Sequence, residues 1–323
     1  MIRTLTAALA TLALPYPAIA QDAPSPNQPS PNQIVAEAPA DEWVAIPAED
    51  LLVMTLAPDR DGEAREVVIQ LMPEPFSQGW IANIRTLARA GWYDGISVNR
   101  VQDNYVVQWG DPNYDNPEAE GAAKPLPDGM RTVPEEGYLA ARNDDLLAKT
   151  RYPDQYSGWA TFSSGWPMAV EQTSVHSMGY QSWPVHCYGM VGVGRGMSPD
   201  TGSGAELYAV IGHAPRHLDR NIALVGRIVS GMEHLSSLPR GSGALGFYTS
   251  EEADERTRIR SIRVASDLPA TEQPAFEYLS TESETFARYA EARANRRDPF
   301  FIVPAGGADI CNIPVPVRMT SAE

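Results

Sequence analysis

The stretch Gly95-Ile-Ser-Val-Asn-Arg-Val-Gln-Asp-Asn-Tyr-Val-Val-Gln-Trp-Gly-Asp111 decides the fold of this chain. Its β-branched and aromatic residues alternate with polar ones on both sides of the turn-prone pair Asp103-Asn104, which predicts a β-hairpin. Arg100 and Gln108 are an even number of residues apart, so a regular hairpin places both side chains on one face. The sequence therefore predicts a cation and an amide side by side on this hairpin.

Short strands and one helix are predicted on either side of this hairpin. Residues 51–56 and 66–71 are β-prone runs separated by the turn-prone residues 58–62, which predicts a first hairpin. Between residues 74 and 90 the apolar positions recur every three or four residues, and Gly91 follows, so a helix should end there. Further strand candidates are residues 188–193, 206–211, 222–229 and 258–264. Many short strands of this kind predict a barrel or a sandwich.

The N-terminus has the pattern of an exported protein. Arg3 precedes an apolar run, and Ala18-Ile-Ala20 supplies the small residues of a cleavage site, so residues 1–20 are predicted to be a signal peptide. We expect cleavage after Ala20 and a periplasmic or secreted protein. Residues 21–42 are rich in Pro, Ser, Asn and Gln, which predicts a disordered linker with packed structure beginning near Trp43.

The composition limits the classes of protein and of partner. The chain has 323 residues, of which 43% are hydrophobic and 20% charged, as in ordinary globular proteins. Its 41 acidic and 25 basic side chains give a net charge of -16, which argues against binding nucleic acids or anionic membrane surfaces. Cys187 and Cys311 are the only cysteines, and a lone pair in an oxidising compartment predicts a disulfide.

Two long segments lie outside the predicted strands and helix. Residues 117–186 are dense in Pro, Gly, Asp and Trp without periodicity, which indicates long loops or an elaborated insertion rather than regular structure. Residues 267–323 are expected to form a C-terminal extension. It should contain a helix over about 282–296 that begins at the capping-box sequence Thr281-Glu-Ser-Glu284.

The order of these elements and several sequence blocks resemble the cyclophilin family of peptidyl-prolyl cis-trans isomerases. Asn83 lies in the helix at a position where the family has an Asn-Phe pair, and Tyr93-Asp-Gly95 leads into the hairpin with its Arg and Gln. The segment 217–232 resembles the family's Leu-Asp to Phe-Gly-Arg-Val to Gly-Met sequence. Residues 190–194, Met-Val-Gly-Val-Gly, resemble its Met-Ala-Asn-Ala-Gly. The resemblance covers residues 49–116 and 187–265.

This resemblance implies a fold and a domain plan. The fold is mainly β, a closed eight-stranded antiparallel barrel capped by two helices. The barrel domain is expected to span residues 43–266, with the insertion at about 117–186 and the extension at 267–323. Residues 138–150 are the candidate for the second capping helix.

The resemblance also implies an activity, the acceleration of rotation about X-Pro bonds, which uses neither a cofactor nor a metal. It assigns to Arg100 the hydrogen bond to the twisted amide and to Gln108 the orientation of the substrate backbone. The expected partners are proline-containing segments of exported proteins, bound by a monomer. The positions that match the family's substrate-binding residues are Tyr105, Val106, Val193, Glu206, Tyr208, His217, Leu218 and Ile222.

Several of these positions depart from the family pattern. Asn99 replaces a His, Trp109 a Gly, Val193 an Ala and Glu206 a Gln, while His217 and Ile222 replace a Trp and a His. We expect these changes to alter peptide preference and inhibitor binding more than the reaction. An alternative function stays open: a cyclophilin-like module that binds proline peptides as a chaperone or envelope scaffold with little turnover.

Two other motifs are weaker. His213 and His217 have the spacing of zinc ligands on a helix, but Pro215 lies between them and would break that helix. The sequence from Gly241 to Gly246 fits a dinucleotide-binding fingerprint letter by letter, but no helix or suitably placed acidic residue follows. We interpret the histidines as loop or core residues and the glycine-rich stretch as a loop, and we predict no metal or nucleotide site.

Overall fold

The computed structural model describes residues 28–114, 119–141, 146, 149–173 and 179–320. The predicted signal peptide and the beginning of the predicted linker lie outside the described residues. The α-helices are α1 (Pro31–Ala36), α2 (Gln78–Arg89), α3 (Glu233–Ser236) and α4 (Glu284–Ala294). The strands are β1 (Trp43–Ala45), β2 (Leu51–Leu56), β3 (Arg65–Leu71), β4 (Ser97–Val101), β5 (Val106–Gly110), β6 (Ala140–Ala141), β7 (Trp159–Ser163), β8 (Trp166–Gln172), β9 (Tyr180–Pro184), β10 (Met190–Val193), β11 (Leu207–Val210), β12 (Leu224–Ser230), β13 (Ile259–Val264), β14 (Phe276–Leu279) and β15 (Val317–Met319).

Eight antiparallel strands form a nearly closed barrel in the order β13-β2-β3-β12-β10-β11-β5-β4. The two outer strands meet through a bridge between Ser97 and Arg258, and the Ile259 amide donates to the Ile96 carbonyl at 2.8 Å. The predicted fold class and the two predicted hairpins, β2–β3 and β4–β5, are therefore confirmed.

Helix α2 packs its apolar stripe into the barrel core. Trp80, Ile84 and Leu87 are fully buried there, as their spacing predicts. The helix begins at Gln78 rather than near residue 74 because Pro75 precedes it, and it ends before Gly91, which has a left-handed φ of 62°.

No α-helix is present in the described residues of the stretch 138–150, where the second capping helix was predicted, and the rest of that prediction lies outside the described residues. The described residues of that stretch include the end of a 3-10 turn at Tyr138 and the strand β6. The short helix α3 follows Met232 and has only four residues.

The insertion contains regular structure, so the prediction of long loops was wrong for its second half. Strands β6 to β9 form a separate four-stranded antiparallel sheet in the order β6-β9-β8-β7. Proline is depleted in strands, and Pro167 in β8 and Pro184 in β9 conceal these strands from a reading of the sequence. The β7–β8 turn consists of Ser164 and Gly165, both with positive φ.

The two ends of the described chain meet outside the barrel. Strands β1, β14 and β15 form a three-stranded sheet, and α1 packs against α4. The prediction that packed structure begins near Trp43 was wrong, because Ser30 and Gln33 form a capping box that starts α1 and Ile34 is buried. In α4 the capping residue is Ser283, not Thr281.

The predicted disulfide between Cys187 and Cys311 is present and ties the extension to the barrel segment before β10. Within the described part of the chain, no helix has the length and apolar character needed to cross a membrane.

Candidate active site

Arg100 and Gln108 face each other across the β4–β5 hairpin, as the sequence predicts. Arg100 Nη1 donates to Gln108 Oε1 at 3.2 Å, and Nη2 donates to the Gln102 side-chain oxygen. Arg100 Nε donates to the backbone carbonyl of Leu245 at 2.7 Å. Three hydrogen bonds to neutral acceptors therefore fix the orientation of the guanidinium group.

Two aromatic rings complete the surroundings of Arg100. The guanidinium carbon lies 5.6 Å from the ring centre of Tyr105 and 5.6 Å from that of Phe247, within the range of cation–π attraction. Among the described residues no carboxylate forms an ion pair with Arg100. Burial lowers the pKa of the Arg100 guanidinium, which still keeps its charge at neutral pH. The site therefore holds a positive charge that no carboxylate of the described chain neutralises.

Arg100 lines a cavity of about 320 Å³ that is lined by apolar side chains as well. Val106, Tyr208 and Val210 form a small buried cluster, separate from the barrel core, against which Tyr105, Leu218 and Ile222 pack. The predicted site residues that line this cavity are Arg100, Tyr105, Val106, Gln108, Glu206, Tyr208, Leu218 and Ile222. The cavity thus joins a charged donor to an apolar surface of a size that suits a small ring.

The polar end of the cavity is built around Gln108. Its Nε2 donates to Glu206 Oε2 at 3.5 Å, while its Oε1 accepts from Arg100, so the amide connects the two charged groups. The Glu206 carboxylate is buried against Gly110, where any Cβ would overlap its oxygens. Arg195 supplies a second cation to the lining, with its Nε bonded to the Asn221 carbonyl at 2.9 Å.

Two predicted substrate-binding residues do not line the cavity. Val193 is fully buried in the barrel core, and Gly194 lines the cavity in its place. His217 is exposed at the rim, where its ring stacks on Tyr105 with 6.1 Å between ring centres. His217 therefore supports a cavity residue from outside.

The comparison with known protein families agrees with this geometry. The sequence profile of the family described as cyclophilin type peptidyl-prolyl cis-trans isomerase/CLD matches residues 63–264, more than half of the chain. The chain belongs to this family. The match contains both strands of the Arg100 hairpin and every predicted substrate-binding position of this cyclophilin.

One solved structure shows the same fold. The crystal structure of a cyclophilin from Hirschia baltica is 21% identical, covers 92% of this chain and 99% of its own, and has a TM-score of 0.64. A Cryptosporidium parvum cyclophilin solved in the presence of the dipeptide Ala-Pro is 10% identical, covers 66% of this chain and 98% of its own, and has a TM-score of 0.36. No curated protein sequence matches the chain.

A chain of buried hydrogen bonds leads away from the apolar wall of this cyclophilin. Tyr208 Oη lies 2.9 Å from His186 Nε2, and His186 Nδ1 lies 2.8 Å from Asp219 Oδ1. Asp219 Oδ2 accepts from Arg216 Nε at 2.7 Å, and both terminal nitrogens of Arg216 donate to Asp154 at 2.8 Å. Because Asp154 belongs to the insertion, this network connects the insertion to the cavity wall.

The electrostatics of this network favour a neutral imidazole. Burial lowers the pKa of His186, against the opposing effect of Asp219, and burial also raises the pKa of Tyr208 well above its usual value. The Nδ1–H group of neutral His186 donates a hydrogen bond to the Asp219 carboxylate, so Nε2 is left as an acceptor for the Tyr208 hydroxyl. A glycine is needed at position 192, since a Cβ there would overlap the Tyr208 phenol.

The sequence prediction missed four residues that line this cavity, namely Gly194, Arg195, Leu245 and Phe247, and it missed Gln102, whose side chain accepts a hydrogen bond from Arg100. Leu245 lies in the glycine-rich loop that resembles a dinucleotide fingerprint, and it adopts a left-handed φ of 55°. The glycines were a signal of an unusual loop backbone, but nothing local in the sequence places that loop beside Arg100.

The histidines at 213 and 217 do not form a metal site. His213 Nδ1 lies 2.9 Å from Asn104 Nδ2, and His217 stacks on Tyr105. In the described part of the chain, no cluster of three or more His, Cys, Asp or Glu residues could hold a metal ion.

Proposed function

We propose that this cyclophilin accelerates X-Pro rotation in exported polypeptides, with Arg100 as the hydrogen-bond donor to the twisted amide. The observation that carries the proposal is the position of the Arg100 guanidinium on the wall of a 320 Å³ cavity that an apolar cluster also lines. The charge and the apolar surface together match the two parts of a prolyl peptide, its amide and its ring.

The donor capacity of Arg100 supports this role. A guanidinium has five N–H groups, and the hydrogen bonds to the described residues Leu245, Gln108 and Gln102 use three of them. Two N–H groups therefore remain for a substrate. Rotation about the amide requires crossing a barrier of roughly 18–20 kcal/mol, since the C–N bond loses its double-bond character. As the prolyl nitrogen becomes pyramidal its lone pair can accept a hydrogen bond, which stabilises the twisted state more than the planar one.

The apolar wall would hold the proline ring while the rest of the amide rotates. Val106, Leu218 and Ile222 offer aliphatic surface, and Tyr208 offers an aromatic face whose hydroxyl is already bonded to His186. Gln108, held between Arg100 and Glu206, would bond the backbone next to the proline. Water is displaced from this wall when the ring binds, and the electrostatic effect of Arg100 becomes stronger as a result.

The test is a protease-coupled isomerisation assay on the mature protein with an Ala-Pro tetrapeptide. Arg100→Ala removes the donor, and we expect kcat/KM to fall by about 10²–10³-fold, the usual cost of losing one preorganised donor. Arg195→Ala is the matched control, because it removes the other cation of the cavity lining. We expect a much smaller loss, about tenfold or less. Equal losses in the two variants would refute a specific role for Arg100.

A second candidate function is proline-peptide binding without useful turnover. It is favoured by the insertion and the extension, which build additional surface beside the cavity. The same assay separates the two functions. A wild-type protein that binds the tetrapeptide but isomerises it no faster than Arg100→Ala would be a binding module.

Export remains part of the proposal. The signal-peptide pattern lies in residues 1–20, and the Cys187–Cys311 disulfide favours an oxidising compartment such as the periplasm. The clients would then be exported polypeptides that contain proline, and the protein would act on them as a monomer.

A further inference from the structure

We propose that a cleft beside the cavity lined by Arg100, here called the proline cavity, is a second subsite. It binds the part of the client polypeptide adjacent to its X-Pro bond. This proposal rests on the function proposed above. The cleft has a volume of 560 Å³ and lies where the barrel, the insertion and the C-terminal extension meet. Its lining includes Asn104 and His213 from the barrel, Tyr156 from the insertion, Tyr188, and Asp309 and Asn312 from the extension.

A ridge formed by the stacked rings of Tyr105 and His217 separates the cleft from the proline cavity. Tyr105 lines the cavity and the preceding residue Asn104 lines the cleft. The two neighbours of His217 are divided in the same way, because Leu218 lines the cavity and Arg216 lines the cleft. One extended residue spans about 3.3–3.6 Å, so a few residues of a bound peptide suffice to cross a ridge one stacked pair wide.

Both walls of the cleft are held rigidly. The Tyr156 ring lies under the Arg216 guanidinium at 4.6 Å, and Arg216 is fixed by Asp154 and Asp219. Tyr188 follows Cys187, whose disulfide partner Cys311 lines the cleft as part of the extension. Rigid surfaces lose little entropy when a flexible peptide binds, so they suit a peptide subsite.

The chemistry of the cleft suits a polypeptide of varied sequence. Tyr156 and Tyr188 are each 54% exposed, a large exposure for aromatic side chains. Neither tyrosine hydroxyl makes a hydrogen bond to another described residue, so both can bond the peptide backbone while the rings contact its side chains. The exposed side chain of Asn312 adds a donor and an acceptor that match any backbone amide.

The test compares three peptides that share one Ala-Pro core. The first is the tetrapeptide, the second carries six further residues at its N-terminus, and the third carries six at its C-terminus, each extension with one phenylalanine. KM is measured by two-dimensional NMR exchange for the wild type and for the double variant Tyr156→Ala/Tyr188→Ala. Phe300→Ala is the matched control, since Phe300 is an aromatic residue of the extension that is 85% exposed and does not line the cleft.

In the wild type, the peptide whose extension reaches the cleft, either the N-terminal or the C-terminal one, should have a KM about tenfold below that of the tetrapeptide. This is the effect expected of an aromatic anchor. The double variant should abolish this difference, and Phe300→Ala should retain it. Equal KM values for all three wild-type peptides, or an unchanged difference in a double variant that folds normally by circular dichroism, would overturn the subsite. So would a wild-type dimer that the double variant disrupts, because a second copy would then occupy the cleft.

Failure of the proposed function gives a different result. If no peptide is isomerised but the extended peptide still binds about tenfold more tightly than the tetrapeptide in calorimetry, the subsite stands and the catalytic proposal fails. If the tetrapeptide is isomerised and extension has no effect on KM, the catalytic proposal stands and the subsite fails.

Discussion

Two arginines, Arg100 in the lining of the cavity and Arg216 in the lining of the adjacent cleft, have contrasting surroundings. Arg216 is buried and bound by two carboxylates, with Asp154 and Asp219 at 2.7–2.8 Å from its nitrogens. Arg100 is half-buried and bound by three neutral oxygens and two aromatic rings. The charge of Arg216 is neutralised within the protein, whereas that of Arg100 is left for whatever enters the cavity.

This difference indicates what each arginine is for. A charge paired inside the protein contributes to the folded structure, while a charge held by neutral groups can stabilise a changing charge distribution in a substrate. The absence of an ion pair does not by itself identify an arginine that can act on a substrate. Arg227 forms no ion pair with the described residues either, but it is buried against Trp166 and lies outside the lining of the proline cavity. Arg195 shares both properties of Arg100, since it lines the cavity and is bonded only to backbone carbonyls among the described residues, so the Arg195→Ala control is needed to separate the two arginines.

The largest effect on stability is expected from breaking the Arg216 network. Asp154→Ala removes the carboxylate that accepts hydrogen bonds from both terminal nitrogens of Arg216. The buried guanidinium then loses one of its two carboxylate partners. We expect the free energy of unfolding to fall by about 3–5 kcal/mol, measured by urea denaturation. Hydrogen bonds from Arg216 and Ser157 outweigh the effect of burial and lower the pKa of Asp154, in agreement with a stabilising ionised form.

The control is Asp103→Ala, which breaks the exposed pair between Asp103 and Arg240. Its expected cost is about 0–1 kcal/mol because water solvates both groups. Similar losses in the two aspartate variants would contradict the assignment of a structural role to the buried network.

A smaller effect is expected from pH. His186 has a lowered pKa in the folded protein, because burial disfavours its charged form. As pH falls below 6.5, the usual pKa of histidine, His186 becomes protonated in the unfolded chain but stays neutral in the folded chain. The contribution of His186 to stability is therefore complete above that pH. Below it, that contribution is lost by at most about 1.4 kcal/mol per pH unit until the folded pKa is reached.

Urea denaturation of the wild type and His186→Gln between pH 7.5 and pH 5 measures this effect. The variant should show a shallower fall in stability over that range. An unchanged slope in His186→Gln would mean that other groups carry the pH dependence.

The smallest effect on stability is expected at the other arginine. Arg100→Ala should change the free energy of unfolding by less than about 1 kcal/mol, because water can replace the hydrogen bonds that its neutral partners lose. The same variant is expected to lose most of its activity. A stability loss near that of Asp154→Ala in the same denaturation experiment would mean that Arg100, like Arg216, mainly stabilises the folded structure.

The sequence predicts those parts of the molecule whose contacts are local. The β4–β5 hairpin brings Arg100 and Gln108 together because alternation and one turn determine their register. The spacing of Trp80, Ile84 and Leu87 likewise predicts the buried face of α2. In these elements the deciding information lies within about twenty residues of sequence, where side-chain periodicity can report it.

Contacts between distant segments were not predictable in this way. The carbonyl that fixes Arg100 Nε belongs to Leu245, 145 residues away, and Asp154 lies 62 residues from Arg216. No periodicity relates such positions, since they meet only after the barrel has formed. The insertion sheet was hidden for a different reason, because Pro167 and Pro184 lie inside strands that the sequence alone would interrupt.

The pairing of β1 with β14 and the packing of α1 on α4 have a consequence for how the chain is made. The N-terminal elements β1 and α1 depend on β14 and α4, so they have no partner until the ribosome has added the residues up to about Ala294. The three-stranded sheet and the contact of α1 with α4 can therefore form only after all of the barrel strands have been synthesised. This cyclophilin completes its outer layer late in its own folding.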